Sequence, residues 1–199
     1  MRKIGITGGV GAGKSEVMAY LAKQYGAVIL RADDIGHEMM AKGSACYDRI
    51  IETFGREAVA EDGQINRPYL AERVFRDADQ LQILNGIIHP AVRQAVEDSF
   101  AEEEKKGTPF VFLEAALLVE EKYGEICDEL WYVYADEAVR AERLRASRHY
   151  SPEKIRNMMA SQLSEEEYRR ACTFTIDNSG DFCDTTRQID QRMKTYETV

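Results

Sequence analysis

The sequence lacks the cysteine pairs that would signal a metal site or a redox motif. Its 199 residues include four cysteines, at positions 46, 127, 172 and 183, and no two of them form a C-x-x-C pair. Neither a zinc site nor a thioredoxin-type motif is therefore indicated, and free thiols in a reducing compartment are expected. No secretory leader is recognised either, because Met1-Arg2-Lys3 leads directly into a strand pattern. We therefore expect a cytoplasmic protein.

Long apolar runs and excess positive charge are also missing. No run of apolar residues approaches the ~18 that a membrane span needs. Lysine and arginine number 26 against 35 aspartates and glutamates, which gives a net charge of −9. A chain of this charge has no general attraction for nucleic acid or anionic membranes. We expect neither as a partner, and no obligate protein partner is evident. An anionic ligand would have to be held by local cations and backbone N–H groups.

The pattern of apolar residues predicts an α/β fold. Short apolar stretches of strand length alternate with helical patterns, which is typical of a parallel sheet covered by helices on both faces. The alternation breaks between about 35 and 105, where no convincing strand occurs and a helical insertion is expected. Its long helical pattern is predicted to break at Pro90. The five predicted strands span residues 3–7, 27–30, 109–113, 130–134 and 173–176.

A glycine-rich segment, ITGGVGAGKS, lies between the first predicted strand and the first predicted helix. Its G-x-x-x-x-G-K-S spacing is that of a phosphate-binding loop, in which the lysine reaches the β- and γ-phosphates and the serine hydroxyl ligates Mg²⁺. Glycines allow phosphate oxygens to approach the backbone, and the helix N-terminus adds partial positive charge. The candidate nucleotide-binding residues here are Gly8, Gly9, Val10, Gly11, Ala12, Gly13, Lys14, Ser15 and Glu16.

Phosphate binding alone leaves three uses open: a GTPase switch, a mechanical ATPase, or a kinase acting on a small molecule. A guanine-specific N/T-K-x-D segment is absent from the sequence. A mechanical ATPase usually needs a larger chain with a partner-binding domain. A small kinase needs an acceptor-binding lobe, a base near the acceptor hydroxyl, and arginines that cover the transferring phosphoryl group.

Candidates exist for each of these kinase features. Asp33 follows the second predicted strand and is the candidate base, with Asp34 as an alternative or a helix cap. Glu114 ends the third predicted strand, where a second acidic group commonly holds the water shell of the Mg²⁺ ion that Ser15 ligates; an ordinary glutamate at a helix start is the alternative. The segment AVRAERLRASRHYS supplies a cluster of arginines, of which Arg140 and Arg148 are the candidate catalytic residues. Such a segment can close over ATP and exclude water.

Over essentially its whole length, the chain resembles the dephospho-CoA kinase family. The segments that carry the resemblance are IGITGGVGAGKS, GAVILRADDIGHE, EDGQINRPYLAERVF, LNGIIHPAV, FLEAALLVE, RLRASR, ASQLSEEEYRRAC and TIDNSG. The resemblance implies a single P-loop kinase domain over 1–199. Its parts would be a core of about 1–34 and 106–199, an acceptor-binding insertion of about 35–105, and a lid of about 140–165.

The implied reaction is transfer of the ATP γ-phosphate to the ribose 3′-hydroxyl of dephospho-CoA, with Mg²⁺. The resemblance places Asp33 at the catalytic aspartate and Asn178 near the adenine of ATP. It places Arg140, Arg143 and Arg148 in the lid region, and we predict that Lys14, Arg140 and Arg148 act on the transferring phosphoryl group. The residues expected to hold the acceptor are Asp33, Arg67, Asn85, His89 and Arg93.

The chain departs from the family pattern at a few positions. Arg31 and Glu114 stand where aspartates are usual, Ala116 where a proline is usual, and Tyr168 where a lysine is common. The second lid arginine is shifted by one residue, to Arg148. Two other interpretations remain open on the residues alone. One is another P-loop kinase with a nucleoside or nucleotide acceptor, and the other is a nucleotide-binding regulatory protein.

Overall fold

A computed structural model of the chain describes residues 1–197. The chain alternates strands with helices, but four α-helices follow the second strand, a short 3₁₀ helix joins the third strand to the fourth, and three α-helices follow the fourth. The strands are β1 (Arg2–Thr7), β2 (Val28–Arg31), β3 (Phe110–Glu114), β4 (Glu129–Tyr134) and β5 (Phe174–Asp177). The α-helices are α1 (Lys14–Tyr25), α2 (Ala32–Met39), α3 (Tyr47–Phe54), α4 (Arg67–Arg76), α5 (Ala78–Lys106), α6 (Glu137–Arg148), α7 (Pro152–Ala160), α8 (Glu165–Ala171) and α9 (Phe182–Glu197).

The five strands form one sheet in the order β2-β3-β1-β4-β5, so β1 is central. The sheet is parallel throughout, as the alternating pattern predicts. In register, Ile6 of β1 pairs with Glu114 of β3 and with Trp131 of β4. The last residue of β3 therefore lies beside the end of β1, close to where the glycine-rich segment begins. All five predicted strands are confirmed to within about a residue at each end.

The chain divides into two compact units, residues 1–30 with 103–199 and residues 31–102. The first unit contains the sheet, and its core is formed by apolar residues of β1, β3 and β4 with the buried faces of α1 and α9. Trp131, at the centre of this core, meets Phe112 and Phe174 edge-on. Asp190 of α9 accepts hydrogen bonds from the hydroxyls of Tyr20 and Tyr25, at 2.7 and 2.6 Å, and so ties α9 to α1.

The second unit has its own core. Apolar side chains of α3, α4 and α5, among them Ile50, Leu70 and Ile87, pack around the short turn at residues 55–65. An isolated antiparallel bridge joins Val59 and Ile65, and the hydroxyl of Tyr47 donates to the Gly63 carbonyl at 2.6 Å. This unit is a cluster of helices with a single strand-like bridge.

The predicted break at Pro90 is wrong: α5 runs from Ala78 to Lys106 with Pro90 inside it. Proline cannot donate to the carbonyl four residues earlier, and its ring crowds that carbonyl. The residue four positions earlier is Gly86, where an added Cβ would have open space. One lost hydrogen bond in a 29-residue helix is offset by its buried contacts at Ile87 and Val92.

The predicted helix boundaries at the other end of the chain are confirmed. Ser151 caps α7 by accepting from the Lys154 N–H, with Pro152 in the first turn. Ser164 and Glu167 form the predicted capping box at the start of α8. Residues 161–164, the α7–α8 link, are therefore fixed by a cap at either side.

The four cysteines are free thiols, as the sequence predicts. Among the helices of residues 1–197, none is both long enough and apolar enough to cross a membrane.

Candidate active site

The phosphate loop, residues 8–13, connects the central strand β1 to helix α1. Gly13 has a left-handed backbone (φ 91°) and starts α1, whose first residue is Lys14. The Lys14 ammonium donates to the Gly8 carbonyl at 2.7 Å, so the side chain folds back over the loop. A helix N-terminus and a lysine thus face the same concavity, which favours a phosphate group.

A cavity of about 300 Å³ lies over this loop. Its charged lining is mostly positive, with Lys14, Arg143 and Arg148 opposite one carboxylate, Glu114. An acidic chain can bind an anion only where cations are locally in excess, and this cavity has such an excess. The full lining is Gly9, Val10, Gly11, Gly13, Lys14, Ser15, Glu114, Arg143, Leu144, Ser147 and Arg148.

The loop glycines make room for protein groups as well as for a ligand. A Cβ on Gly8 would lie 2.4 Å from the Val133 carbonyl oxygen, and one on Gly13 would lie 2.2 Å from the Asn178 amide nitrogen. Gly8, Gly11 and Gly13 also have positive φ, which side chains rarely tolerate. The expectation from the sequence considered only phosphate approach, and the structure adds close packing by β4 and the Asn178 turn.

Arg140 of α6 lies against the loop rather than in the cavity lining. Its Nε donates to the Val10 carbonyl at 2.9 Å, and its Nη2 donates to the Gln162 Oε1 at 2.6 Å. The same Gln162 oxygen accepts from the Val10 N–H at 3.1 Å. Both polar groups of Val10 are therefore held by side chains from outside the loop.

The Asn178 side chain supports the other half of the loop. It is 1% exposed, donates to the Ala12 carbonyl at 2.8 Å, and accepts from the Thr185 hydroxyl at 2.7 Å. Arg143 donates to the Asn178 carbonyl at 2.9 Å and reaches toward the Ala12 carbonyl at 3.5 Å. The family resemblance implies that this turn lies near the adenine of ATP, and in the structure the Asn178 amide donates to the backbone of the phosphate loop.

Ser15 and Glu114 line the same cavity, one at the start of α1 and the other at the end of β3. Together they offer a hydroxyl and a carboxylate, oxygen ligands of the kind that Mg²⁺ prefers. Glu16, the last of the predicted loop residues, lies in the first turn of α1 and is exposed. Its backbone N–H donates to the Gly13 carbonyl at 3.1 Å and so belongs to the helix start.

Asp33 lies in the first turn of α2, two residues after β2 ends. Its neighbour Asp34 is 65% exposed and forms a 4.0 Å ion pair with Arg31, the departure from the family pattern. Such an exposed pair contributes little to stability. In the structure, Arg31 is therefore an exposed ion-pair partner of Asp34.

The unbroken α5 helix aligns three of the predicted acceptor residues. Asn85, His89 and Arg93 are spaced four apart, so they lie along one face of the helix. Arg93 Nε also donates to Glu97 Oε1 at 3.3 Å, one turn further on. Arg67 is exposed in the first turn of α4, behind the Asn66 cap.

Tyr168, where the family pattern has a lysine, is part of the interior. Its ring stacks on Tyr132 with centroids 4.8 Å apart and 14° between the planes. Burial raises the pKa of Tyr168 to about 12, and burial also raises the pKa of Tyr132. The tyrosine supplies apolar packing under β4, and Ala116 lies exposed in the turn after β3.

Sequence reasoning missed Gln162 and Thr185 as parts of this site. No spacing rule marks either residue, because each acts through the fold on a loop more than 150 positions away. Gln162 does lie in the ASQLSEEE segment that carries part of the family resemblance.

A parallel sheet in this order, with a G-x-x-x-x-G-K-S loop leading from its central strand into a helix, defines a P-loop NTPase-type fold. Comparison with known proteins identifies the family within this class. The family model of dephospho-CoA kinase matches residues 2–184. The chain belongs to the dephospho-CoA kinase family.

Individual relatives agree with the family model. The chain is 35% identical to a dephospho-CoA kinase from Carboxydothermus hydrogenoformans over 186 residues, which cover 94% of this chain and 90% of the relative. It is 37% identical to one from Staphylococcus epidermidis over 178 residues, or 89% and 87% of the two chains. The crystal structure of TT1252 from Thermus thermophilus superposes with a TM-score of 0.80 and 30% identity, covering 98% and 97%.

Proposed function

We propose that this chain transfers the γ-phosphate of ATP to the ribose 3′-hydroxyl of dephospho-CoA, giving coenzyme A and ADP. The observation that carries the proposal is the cationic cavity over the phosphate loop in a chain that matches the dephospho-CoA kinase family across 2–184. The other two interpretations, another P-loop kinase and a regulatory protein, have no comparable support.

The ATP phosphates would lie in the cavity over residues 8–15. Lys14 neutralises charge on the transferring phosphoryl group, and the N-terminus of α1 contributes partial positive charge. Arg148 lines this cavity at the end of α6, which supports its assignment to the phosphoryl group. Arg140 is engaged with Val10 and Gln162, so we assign it to holding the loop instead.

Mg²⁺ would be held by Ser15 and Glu114 together with phosphate oxygens. Residues 1–197 contain no cluster of three or more histidine, cysteine, aspartate or glutamate side chains that could hold a metal alone. A site with two protein oxygens, completed by nucleotide and water, is the arrangement that suits Mg²⁺ in phosphoryl transfer. Bound with ATP, the ion would neutralise charge on the phosphates.

Asp33 is the proposed base. A ribose hydroxyl is a weak nucleophile at neutral pH and needs an acceptor for its proton within hydrogen-bond reach. A carboxylate both orients the hydroxyl and accepts that proton. Asp33 follows the carboxyl end of a sheet strand, which is where functional groups of α/β proteins collect.

The helical unit of residues 31–102 is the proposed acceptor-binding lobe. Arg67 and Arg93 offer guanidinium groups for the acceptor's diphosphate. Asn85, His89 and Arg93 share one face of α5, so they can act on one extended ligand. Residues 140–165 are the proposed lid.

On the nucleotide side, the Asn178 turn is proposed to lie near the adenine. The Asn178 amide is committed to Ala12 and Thr185, so the turn would act through its backbone and its position.

A cytoplasmic location is supported by the four free thiols. The absence of nucleic-acid, membrane and obligate protein partners remains a prediction.

An acceptor panel tests the proposed function. The chain is mixed with Mg-ATP and either dephospho-CoA, a nucleoside, a nucleotide or no acceptor, and ADP release is measured. We expect release above the no-acceptor rate with dephospho-CoA alone. Faster release with a nucleoside or nucleotide would favour another P-loop kinase. No acceptor-dependent release, together with no thermal stabilisation by dephospho-CoA, would favour a regulatory protein.

A further inference from the structure

Gln162 lies in the α7–α8 link yet contacts the phosphate loop. It follows the α7 cap at Ser161, and its backbone N–H donates to the Met159 carbonyl at 3.2 Å. Two residues later, the capping box of Ser164 and Glu167 starts α8. The backbone of Gln162 is therefore held at both sides, and its side chain is presented from a defined position.

The orientation of the Gln162 amide follows from its neighbours. Its Oε1 faces the Val10 N–H at 3.1 Å and the Arg140 Nη2 at 2.6 Å. Both neighbours are obligate donors, since a guanidinium has no acceptor and a backbone N–H can only donate. Only the oxygen of the amide can satisfy both, so the side chain acts here purely as an acceptor.

Gln162, Arg140 and Val10 form a closed ring of hydrogen bonds. Arg140 Nε completes the ring by donating to the Val10 carbonyl at 2.9 Å. Val10 lies between Gly9 and Gly11, and Gly11 adopts a positive φ of 79°. Glycines give the backbone on either side of Val10 unusual freedom. A residue flanked in this way needs external bonds to keep one conformation.

The ring matters for nucleotide binding because the loop binds phosphate through its backbone. A P-loop works only if its N–H groups converge on the phosphates before the ligand arrives, since ordering them on binding costs affinity. Val10 and Gly11 both line the cavity, so a rotation at Val10 changes the lining directly. Fixing Val10 therefore fixes part of the surface that meets the phosphates.

We propose that Gln162 is a positioning residue that preorganises the phosphate loop for nucleotide by accepting hydrogen bonds from Val10 and Arg140. The proposal deepens the proposed function and rests on it only in assigning ATP to the cavity. It also links the proposed lid to the loop, because Gln162 belongs to residues 140–165. A displacement of the α7–α8 link would break the Gln162 bond to Val10.

The test compares two substitutions at Gln162. Gln162→Leu removes the acceptor at similar size, whereas Gln162→Glu keeps an acceptor oxygen, replaces the amide nitrogen with a second one and adds a charge that favours Arg140. We expect Gln162→Leu to weaken ADP binding about tenfold and to raise the KM for ATP by more than it lowers kcat. Gln162→Glu should bind ADP within about twofold of the original chain. Gln191→Leu, on the exposed face of α9, is the matched control and should change neither constant.

Several outcomes would overturn the proposal. One is that Gln162→Leu binds ADP as tightly as the original chain, and another is that Gln162→Glu is as defective as Gln162→Leu. If Gln162 had a merely structural role, Gln162→Leu would lower the melting temperature and Gln162→Glu would not restore ADP affinity. If Leu prevents folding, Gln162→Ala serves in the same comparison. ADP binding is measured by calorimetry without acceptor, so failure of the dephospho-CoA assignment would leave this result readable.

Discussion

The guanidinium of Arg140 occupies the space that a side chain on Gly9 would fill. An ideal Cβ on Gly9 would lie 2.3 Å from the Arg140 Cζ, well inside any real contact distance. Gly9 is therefore required for the arginine to reach Val10 and Gln162. Gly9 and Arg140 are 131 positions apart in the chain, yet the position of the guanidinium depends on the missing side chain at Gly9.

A methyl group at Gly9 should weaken nucleotide binding. Gly9→Ala would push the Arg140 guanidinium away from Val10 and Gln162, and the loss of those hydrogen bonds costs about 1–3 kcal/mol. Calorimetry with ADP should show affinity reduced by roughly 5–160-fold, which is the same range expressed as a ratio. In Arg140→Ala, the added Gly9→Ala change should have little further effect, because the clash is gone.

Gly86→Ala is the matched control for that prediction. Gly86 lies within α5 with open space where its Cβ would be. Alanine there should leave ADP affinity unchanged and raise stability by about 0.5–1 kcal/mol, since alanine is the better helix former. Equal ADP affinity in Gly9→Ala and the original chain would contradict the steric account.

Lys14→Ala should abolish most turnover while leaving the fold intact. The Lys14 ammonium donates to the Gly8 carbonyl at 2.7 Å, beside the concavity of the loop. Its main expected role is electrostatic, and removing such a group typically lowers kcat by roughly 10²–10³. Steady-state ADP release and a melting curve measure the two effects. A folded variant with near-original turnover would refute this role.

Asp33→Asn should lower kcat by roughly 10²–10⁴ without loss of ATP binding, as expected for a general base. Asn keeps the shape of Asp33 and removes its capacity to accept the proton. Asp34→Asn is the matched control, because Asp34 is an exposed partner of Arg31 and should matter little. Measured kcat values decide between them. A severe Asp34 defect beside a mild Asp33 one would make Asp34 the base.

Glu129 should make stability depend on acid pH. Burial by itself raises the pKa of Glu129, but hydrogen bonds from Arg192, Tyr196 and Trp131 outweigh it, so the pKa is lowered from its ordinary value of 4.5. The Tyr196 hydroxyl donates at 2.8 Å, and only 12% of the Glu129 side chain is exposed.

The sign follows from proton linkage. A group whose pKa is lower in the folded state stabilises fully above its unfolded pKa and loses that contribution as pH falls through the folded value. Glu129→Gln should therefore cost about 1–3 kcal/mol of unfolding free energy at pH 7. The difference from the original chain should shrink as the pH falls below about 4.5. Chemical denaturation at several pH values measures it, with exposed Glu104→Gln as baseline, and a constant difference would contradict the prediction.

Local sequence signals were enough to predict the sheet strands, the phosphate loop and the helix caps. Strand patterns rich in apolar residues marked all five strands, and Ser151 and Ser164 marked two helix starts through their own side chains. These features depend on residues that are close together in the chain, so a single sequence contains the information needed to predict them.

Features that depend on contacts between residues far apart in the chain were harder to predict from the sequence. The propensity of Pro90 to break a helix was overridden by the packing of α5. The bonds of Arg140 and Asn178 to the loop join residues more than 120 positions apart, and no spacing reveals them. The sequence marked these side chains as important, while their hydrogen-bond partners required the fold.

The central claim is transfer of a phosphoryl group to the ribose 3′-hydroxyl, and the product itself tests it most directly. Dephospho-CoA and an analogue lacking the 3′-hydroxyl are each incubated with the chain and Mg-ATP, and the products are analysed by mass spectrometry and ³¹P NMR. The account predicts one added phosphoryl group on dephospho-CoA, with a resonance coupled to the 3′ proton, and none on the analogue. Phosphorylation of the analogue, or no product from dephospho-CoA, would contradict it.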